Sequence, residues 1–229
     1  MIELFLTALE NLFYLTIRKI FDYVSLKFPF KLIFLDIYMW FSYLFSSPFS
    51  LAKREGTTIG GRAPQGVLSE DELTYGETLY LTAYKILERV GVTSADVFLD
   101  IGCGRGKVVF FVDYFYNIPA IGIEVLPTFI KKALKIKQIL SFKNSMFLRG
   151  DFREVALPSS ATIVYCSGTC FTSSTFKQLI LKLESLPRLS KVISLTHPLD
   201  TSFLSLRAKE ELHFSWGKGT VYYYSKKEF

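Results

Sequence analysis

The stretch LDIGCGRGKVVF, residues 99–110, sets three glycines at alternate positions between two apolar runs. Such a turn lets main-chain N–H groups approach a nucleotide-like ligand closely. A phosphate loop is excluded, because Ile101 stands where its first glycine belongs and Val108 where its magnesium-binding hydroxyl belongs. A dinucleotide turn is disfavoured. Gly102-x-Gly104-x-Gly106 is one residue too short, and Lys107 occupies a place where close helix–strand packing wants a small residue. Three acids fall in register with the turn. Asp100 precedes it, Glu124 closes the apolar run PAIGIE, and Asp151 follows the next apolar run in RGDF. Singly they read as a turn residue, a strand-end charge and a helix N-cap. Together, one acid after each of three successive strands marks a ligand site.

The elements that must hold these residues follow from periodicity. DVFLDI is apolar enough to be buried on both faces, as a strand of a parallel sheet is. Further strands are expected at 119–124, 145–149, 161–166, 191–195, 209–215 and 219–225. Helical spacing is expected over 77–90, near 106–116, over 126–141, near 173–185 and at 200–206. Gly91 reads as the C-cap of the first of these. Lys131, Lys132, Lys135 and Lys137 read as the solvated face of the third. Strand–helix alternation specifies an α/β fold with a doubly wound, mostly parallel seven-stranded sheet. The short turn WGKG joins the last two strands as an antiparallel hairpin.

An apolar, aromatic-rich segment, 1–52, precedes this domain, and a glycine-rich polar loop, 53–74, joins it to residues 75–229. Residues 2–21 have amphipathic helical spacing. The stretch 32–52 is interrupted by Asp36, and its charge-free part is shorter than the roughly 20 residues of a membrane-spanning helix. It therefore reads as lying on a membrane surface or as packing on the domain. The formal charge of +6 is spread along the chain and carries no specific nucleic-acid signal. Glu3 and Glu10 near the start argue against a secretory signal. Three cysteines make no disulfide framework, and Cys166 and Cys170 without nearby histidines make no metal site. The expected location is the cytoplasm, with membrane association open.

The short glycine spacing behind Asp100 resembles the first motif of class I methyltransferases that use S-adenosylmethionine (SAM). YGET at 75–78, VFLDIGCGRGKVV, IGIE, RGDF and FSWGKGTVYYY at 214–224 resemble, in order and spacing, the catalytic domain of Dot1-like lysine methyltransferases. The resemblance covers residues 75–229 and implies a Rossmann-like methyltransferase fold with SAM as cofactor. By that resemblance Tyr75 and Thr78 close over the methionine moiety. Asp100, Gly102 and Gly104 hold its amino group and backbone, Glu124 binds the ribose, and Asp151 with Phe152 takes the adenine. Trp216 and Tyr223 line a narrow channel for a lysine side chain. Ordinary hairpin packing is the alternative for both.

The chain departs from the family in two places. Where Dot1-like enzymes carry Asn-Asn-Phe beside the reacting methyl, it reads YCSGTC, which makes Tyr165, Ser167 and Thr169 candidate acceptor contacts. Lys107 stands where the family has glutamine. The expected activity is methyl transfer to an amine, with a protein lysine as partner. A methyltransferase for a small molecule or lipid at a membrane, and a non-catalytic SAM-binding module, are the alternatives.

Overall fold

The computed structural model describes residues 20, 23–24, 30–45, 76–168 and 171–227. Its centre is β1 (Phe98–Ile101), all four residues of which are buried. β1 pairs in parallel with β2 (Ala120–Glu124) on one side and β4 (Ile163–Cys166) on the other. β3 (Ser145–Arg149) extends the sheet beyond β2, and β5 (Lys191–Leu195) beyond β4. The last strands, β6 (Leu204–Phe214) and β7 (Gly217–Lys226), form the expected hairpin, and β7 inserts antiparallel beside β5. The order is β3-β2-β1-β4-β5-β7-β6. It reverses direction at β1 and β4, so the crevice for a ligand opens at their carboxyl ends.

Alternation along the strands sends side chains to two separate cores. Phe98, Tyr165, Ile193, Val221 and Tyr223 face one, together with α2 (Tyr80–Val90), α3 (Lys107–Tyr116) and α4 (Pro127–Ile139). Leu99, Ile101, Val164, Val192 and Tyr224 face the other, covered by α5 (Ser173–Glu184) and by Leu199 and Phe203. α2 ends as expected, with Gly91 at φ 67° accepting the left-handed cap conformation.

No helix forms over 200–206. The chain there turns at Ser202 and Phe203 and enters β6 at Leu204. Pairing with β7 outweighs the weak helical spacing of this short stretch, and both hairpin strands run longer than their sequence pattern indicated.

Of the N-terminal segment, α1 (Phe30–Phe45) is described, and the expected helix over 2–21 lies outside the described residues save for Ile20. Leu32, Leu35, Asp36 and Met39 fall on one helical face and are buried. The three apolar ones join the core of α2 and α3, and burial of each contributes about 1.5–3 kcal/mol. Lys31 reaches over the Phe142 ring to the carbonyl of Ser141. The opposite face of α1 exposes Phe30, Phe34 and Ile37 at 71, 60 and 44%. Among the described residues no helix is long and apolar enough to cross a membrane.

Candidate active site

The glycine turn is pinned at the carboxyl end of β2. Gly102 N and Cys103 N donate to the Ile123 carbonyl at 2.9 and 3.1 Å. Gly104 N donates to Glu124 Oε2 and Leu126 N to Glu124 Oε1, both at 2.9 Å. Glu124 therefore staples the turn to the end of β2. It retains acceptor capacity, because a carboxylate offers about four lone-pair sites. Gly106, at φ 84°, is the residue from which α3 starts, and a Cβ there would strike the Phe147 and Phe110 rings. Only glycine fits both the backbone and the space.

Asp100 sits one residue before the end of β1, in register with Gly122 of β2 and Tyr165 of β4. Its side chain is 3% exposed, and Oδ1 has no hydrogen-bond partner among the described residues. Burial, and next the Glu124 carboxylate, hold its carboxyl well above the ordinary value. Burial likewise pushes the Glu124 carboxyl up against the lowering effect of its main-chain donors. A buried acceptor with nothing to accept from is costly. It fits a ligand bearing a positive charge, as the ammonium and sulfonium of SAM do. The turn leaves room: a Cβ on Gly102, at φ 80°, would meet nothing closer than the Phe171 ring at 4.0 Å.

Segments far apart in sequence close over this end of the sheet. Thr78 Oγ1 and the Tyr165 hydroxyl share a hydrogen bond of 2.6 Å, both side chains buried. Glu77 N donates to Ser215 Oγ at 2.8 Å, and Ser215 N donates to the Glu77 carbonyl at 3.1 Å. Trp216 lies over Gly76 so closely that a Cβ would overlap the indole. Its ring stacks on Phe214 at 4.6 Å and remains 40% exposed. Residues 76–78, the glycine turn, the end of β4 and the β6–β7 turn thus meet at one place. Tyr75 and Thr169 lie outside the described residues, and Ser167 is half-buried just beyond β4.

Three expected site residues are engaged differently from the sequence reading. Tyr223, expected to line a lysine channel, faces the core. Its hydroxyl donates to Glu210 at 2.5 Å, the Arg89 guanidinium covers its ring at 5.4 Å, and the residue is 5% exposed. Its place on β7 points it into the core beneath α2. Asp151 is clamped by Arg153, whose Nε lies 2.9 Å from both carboxylate oxygens and whose Nη2 lies 2.5 Å from Oδ2. An adenine amino group must compete with that pair. Phe152 is buried and stacks on Phe171 at 5.3 Å.

Four site residues escaped the sequence reading: Asp36, Glu77, Arg105 and Phe171. Arg105 is 1% exposed and donates to Glu77 Oε1 and, at 3.1 Å, to the Met39 carbonyl of α1. Lys107 Nζ sits 3.0 Å from Asp36 Oδ1 and 3.5 Å from Glu77 Oε2. Burial pulls the Lys107 ammonium down, but Asp36 and then Glu77 outweigh it and leave it above its ordinary value. A cation in the first turn of α3 opposes the helix dipole, so these carboxylates are what make Lys107 tolerable there. Signals existed for two of them: Asp36 is the one acid in an apolar run, and Glu77 lies inside YGET. Cys103 and Cys166 are free thiols, and no group of metal-ligating side chains occurs among the described residues.

This strand order and the ligand-end turn define a class I, SAM-dependent methyltransferase. An RNA methyltransferase from Salinibacter ruber, solved with S-adenosylhomocysteine, is similar at 25% identity and TM-score 0.55, over 65% of this chain and 92% of that one. Magnesium protoporphyrin IX methyltransferase (ChlM) from Synechocystis PCC 6803, solved with SAM, matches in fold at 12% identity and TM-score 0.53, over 65% of this chain and 79% of that one. TrmN from Thermus thermophilus does so at 15% identity and TM-score 0.55, over 65% of this chain and 49% of that one. No curated protein sequence matches the chain. A family model does, over residues 69–212, and the chain belongs to that family, histone methylation protein DOT1.

Proposed function

We propose that the chain transfers the methyl group of SAM to the side-chain amine of a protein lysine. The observation that carries this reading is the exposed Trp216 indole beside the 76–78 segment, at the carboxyl ends of β1 and β4. Bound SAM supplies an electrophilic methyl on a sulfonium sulfur. An amine acceptor then needs alignment and delivery without its proton rather than a catalytic acid. An apolar indole face suits the aliphatic stem of lysine, and removal of water lowers the ammonium pKa. Asp100 would hold the cofactor's ammonium, Gly102 and Gly104 its backbone, Glu124 a ribose hydroxyl, and Asp151 with Phe152 the adenine. Tyr75 and Thr78 would close over the methionine end. Tyr165, bonded to Thr78, would stand beside the reacting methyl, with Trp216 at the rim. The DOT1 family match supports a protein acceptor. Free thiols at Cys103 and Cys166 suit a reducing compartment such as the cytoplasm.

A second reading, a lipid or small-molecule acceptor at a membrane surface, is favoured by one observation. Phe34 and Ile37 of α1 form an open apolar groove of about 300 Å³ with Ile136, Ile139 and Leu140. One experiment separates the readings. Full-length chain is incubated with methyl-labelled SAM and cell lysate, which is then split into protein, lipid and nucleic-acid fractions. Label in protein, recovered as methyllysine on hydrolysis, is the expected result. Label confined to lipid or RNA overturns the lysine assignment.

A further inference from the structure

We infer that Asp36, in a helix outside the family match, is a positioning residue for the cofactor turn, acting through Lys107 and Glu77. The inference rests on the SAM site assigned above. Its basis is a closed polar ring buried between α1, the 76–78 segment and the glycine turn. Asp36 Oδ1 meets Lys107 Nζ at 3.0 Å, and Lys107 meets Glu77 Oε2 at 3.5 Å. Glu77 Oε1 meets Arg105, and Arg105 Nη1 returns to α1 by donating to the Met39 carbonyl at 3.1 Å. Tyr23 donates its hydroxyl to the other oxygen of Asp36 at 2.8 Å. The four charged side chains are between 0 and 12% exposed.

Charge explains why α1 matters to the pocket. Arg105 and Lys107 are near neighbours in the turn and repel each other, which lowers the affinity of Lys107 for its proton. Glu77 supplies one negative charge against these two positive ones, and Asp36 supplies the second. Without Asp36, buried Lys107 loses its nearer carboxylate and turns to Glu77, which Arg105 also engages. Glu77 cannot shift alone. Its main chain is bonded to Ser215 in both directions, Thr78 next to it holds Tyr165, and Trp216 lies over Gly76. On the other side, Arg105 stands between Gly104, whose N–H is held by Glu124, and Gly106, from which α3 starts. Displacement of the ring therefore reaches the pocket from both the segment that closes it and the turn that floors it.

The test is a double-mutant cycle in the full-length chain, read as S-adenosylhomocysteine affinity by isothermal titration calorimetry, with Tm measured in parallel. Asp36→Asn and Lys107→Gln are each expected to weaken binding about tenfold, and the double variant also about tenfold rather than a hundredfold, because paired groups act as a unit. Asp36→Glu, which keeps the charge, is expected to bind within about threefold of wild type. Should Asp36→Asn fail to fold, Asp36→Glu, Lys107→Gln and the double variant still decide. A lowered Tm with unchanged affinity in the single variants makes the ring merely structural and overturns the inference. An additive, hundredfold loss in the double variant overturns the pairing. Asp100→Asn serves as the control. If it loses affinity while Asp36→Asn does not, the site stands and the positioning role falls. If Asp100→Asn binds as wild type does, the site assignment falls, and the inference with it.

Discussion

Substituting Asp100 by Asn is expected to move stability and ligand affinity in opposite directions. In the protein without ligand, Asp100 Oδ1 is buried with no hydrogen-bond partner among the described residues, and Glu124 faces it. Its carboxyl is held above the ordinary value of 3.8, by burial first and by Glu124 second. A folded-state pKa that is raised means stability fully present below pH 3.8 and lost as pH rises through the raised value. At neutral pH the wild-type chain carries that loss and an amide does not. Removing the buried ionisable group is expected to stabilise the apo protein by on the order of 1 kcal/mol, a rise in Tm of roughly 2–4 °C for a chain of this size. The bond proposed between Asp100 and the ligand's ammonium is lost at the same time. A hydrogen bond to a charged group is worth about 1.5–3 kcal/mol, so affinity for S-adenosylhomocysteine should fall roughly 10- to 150-fold. Because the ammonium favours ionised Asp100, wild-type binding should strengthen with rising pH and release protons, a slope the variant lacks. Calorimetry in two buffers of different ionisation enthalpy reads the proton release, and a thermal melt reads the stability. Unchanged affinity, or a lower apo Tm in Asp100→Asn, refutes the reasoning.

Four further substitutions probe the rest of the site. Thr78→Val leaves the buried Tyr165 hydroxyl unpaired and should cost about 1–3 kcal/mol in a denaturant melt, most of it recovered by adding Tyr165→Phe. Glu124→Gln offers one carbonyl oxygen to the two N–H groups of Gly104 and Leu126. It should lower both Tm and S-adenosylhomocysteine affinity, by about 1–3 kcal/mol in stability. Trp216→Ala should raise the acceptor KM severalfold and leave cofactor affinity unchanged. Tyr223→Phe should alter neither and lower only stability, because its hydroxyl serves Glu210.

The core of the fold was legible because buried parallel strands write their own signature. FLDI, AIGIE and KVISL are short apolar runs at the pitch of strand–helix alternation, and all became strands. The 200–206 stretch was misread because its competing partner, β7, lies more than ten residues further along the chain. Tyr223 shows the same limit at the level of a side chain. Its aromatic character was compatible with both a channel and a core, and only the alternation of β7 against β5 decides which face it takes. Asp151 and Phe152 were placed at the right strand end, but their partners, Arg153 and Phe171, depend on loop geometry that no periodicity encodes.

Lys107 and Asp36 were each visible as misfits, one a cation in a turn that wants a small residue, the other an acid in an apolar helix. Neither explains itself alone. Lys107 opposes the dipole of α3, and Asp36 faces a core that cannot solvate it. Each local conflict is removed by the other at 3.0 Å. Two such conflicts resolving into one contact are what a sequence under selection for a single structure produces, since inconsistent local choices survive only where tertiary structure reconciles them. The consequence is that α1 is bound to the catalytic end of the sheet by charge as well as by Leu32, Leu35 and Met39. Apolar substitutions on that inner face should lower stability, whereas neutralising Asp36 should reach the cofactor.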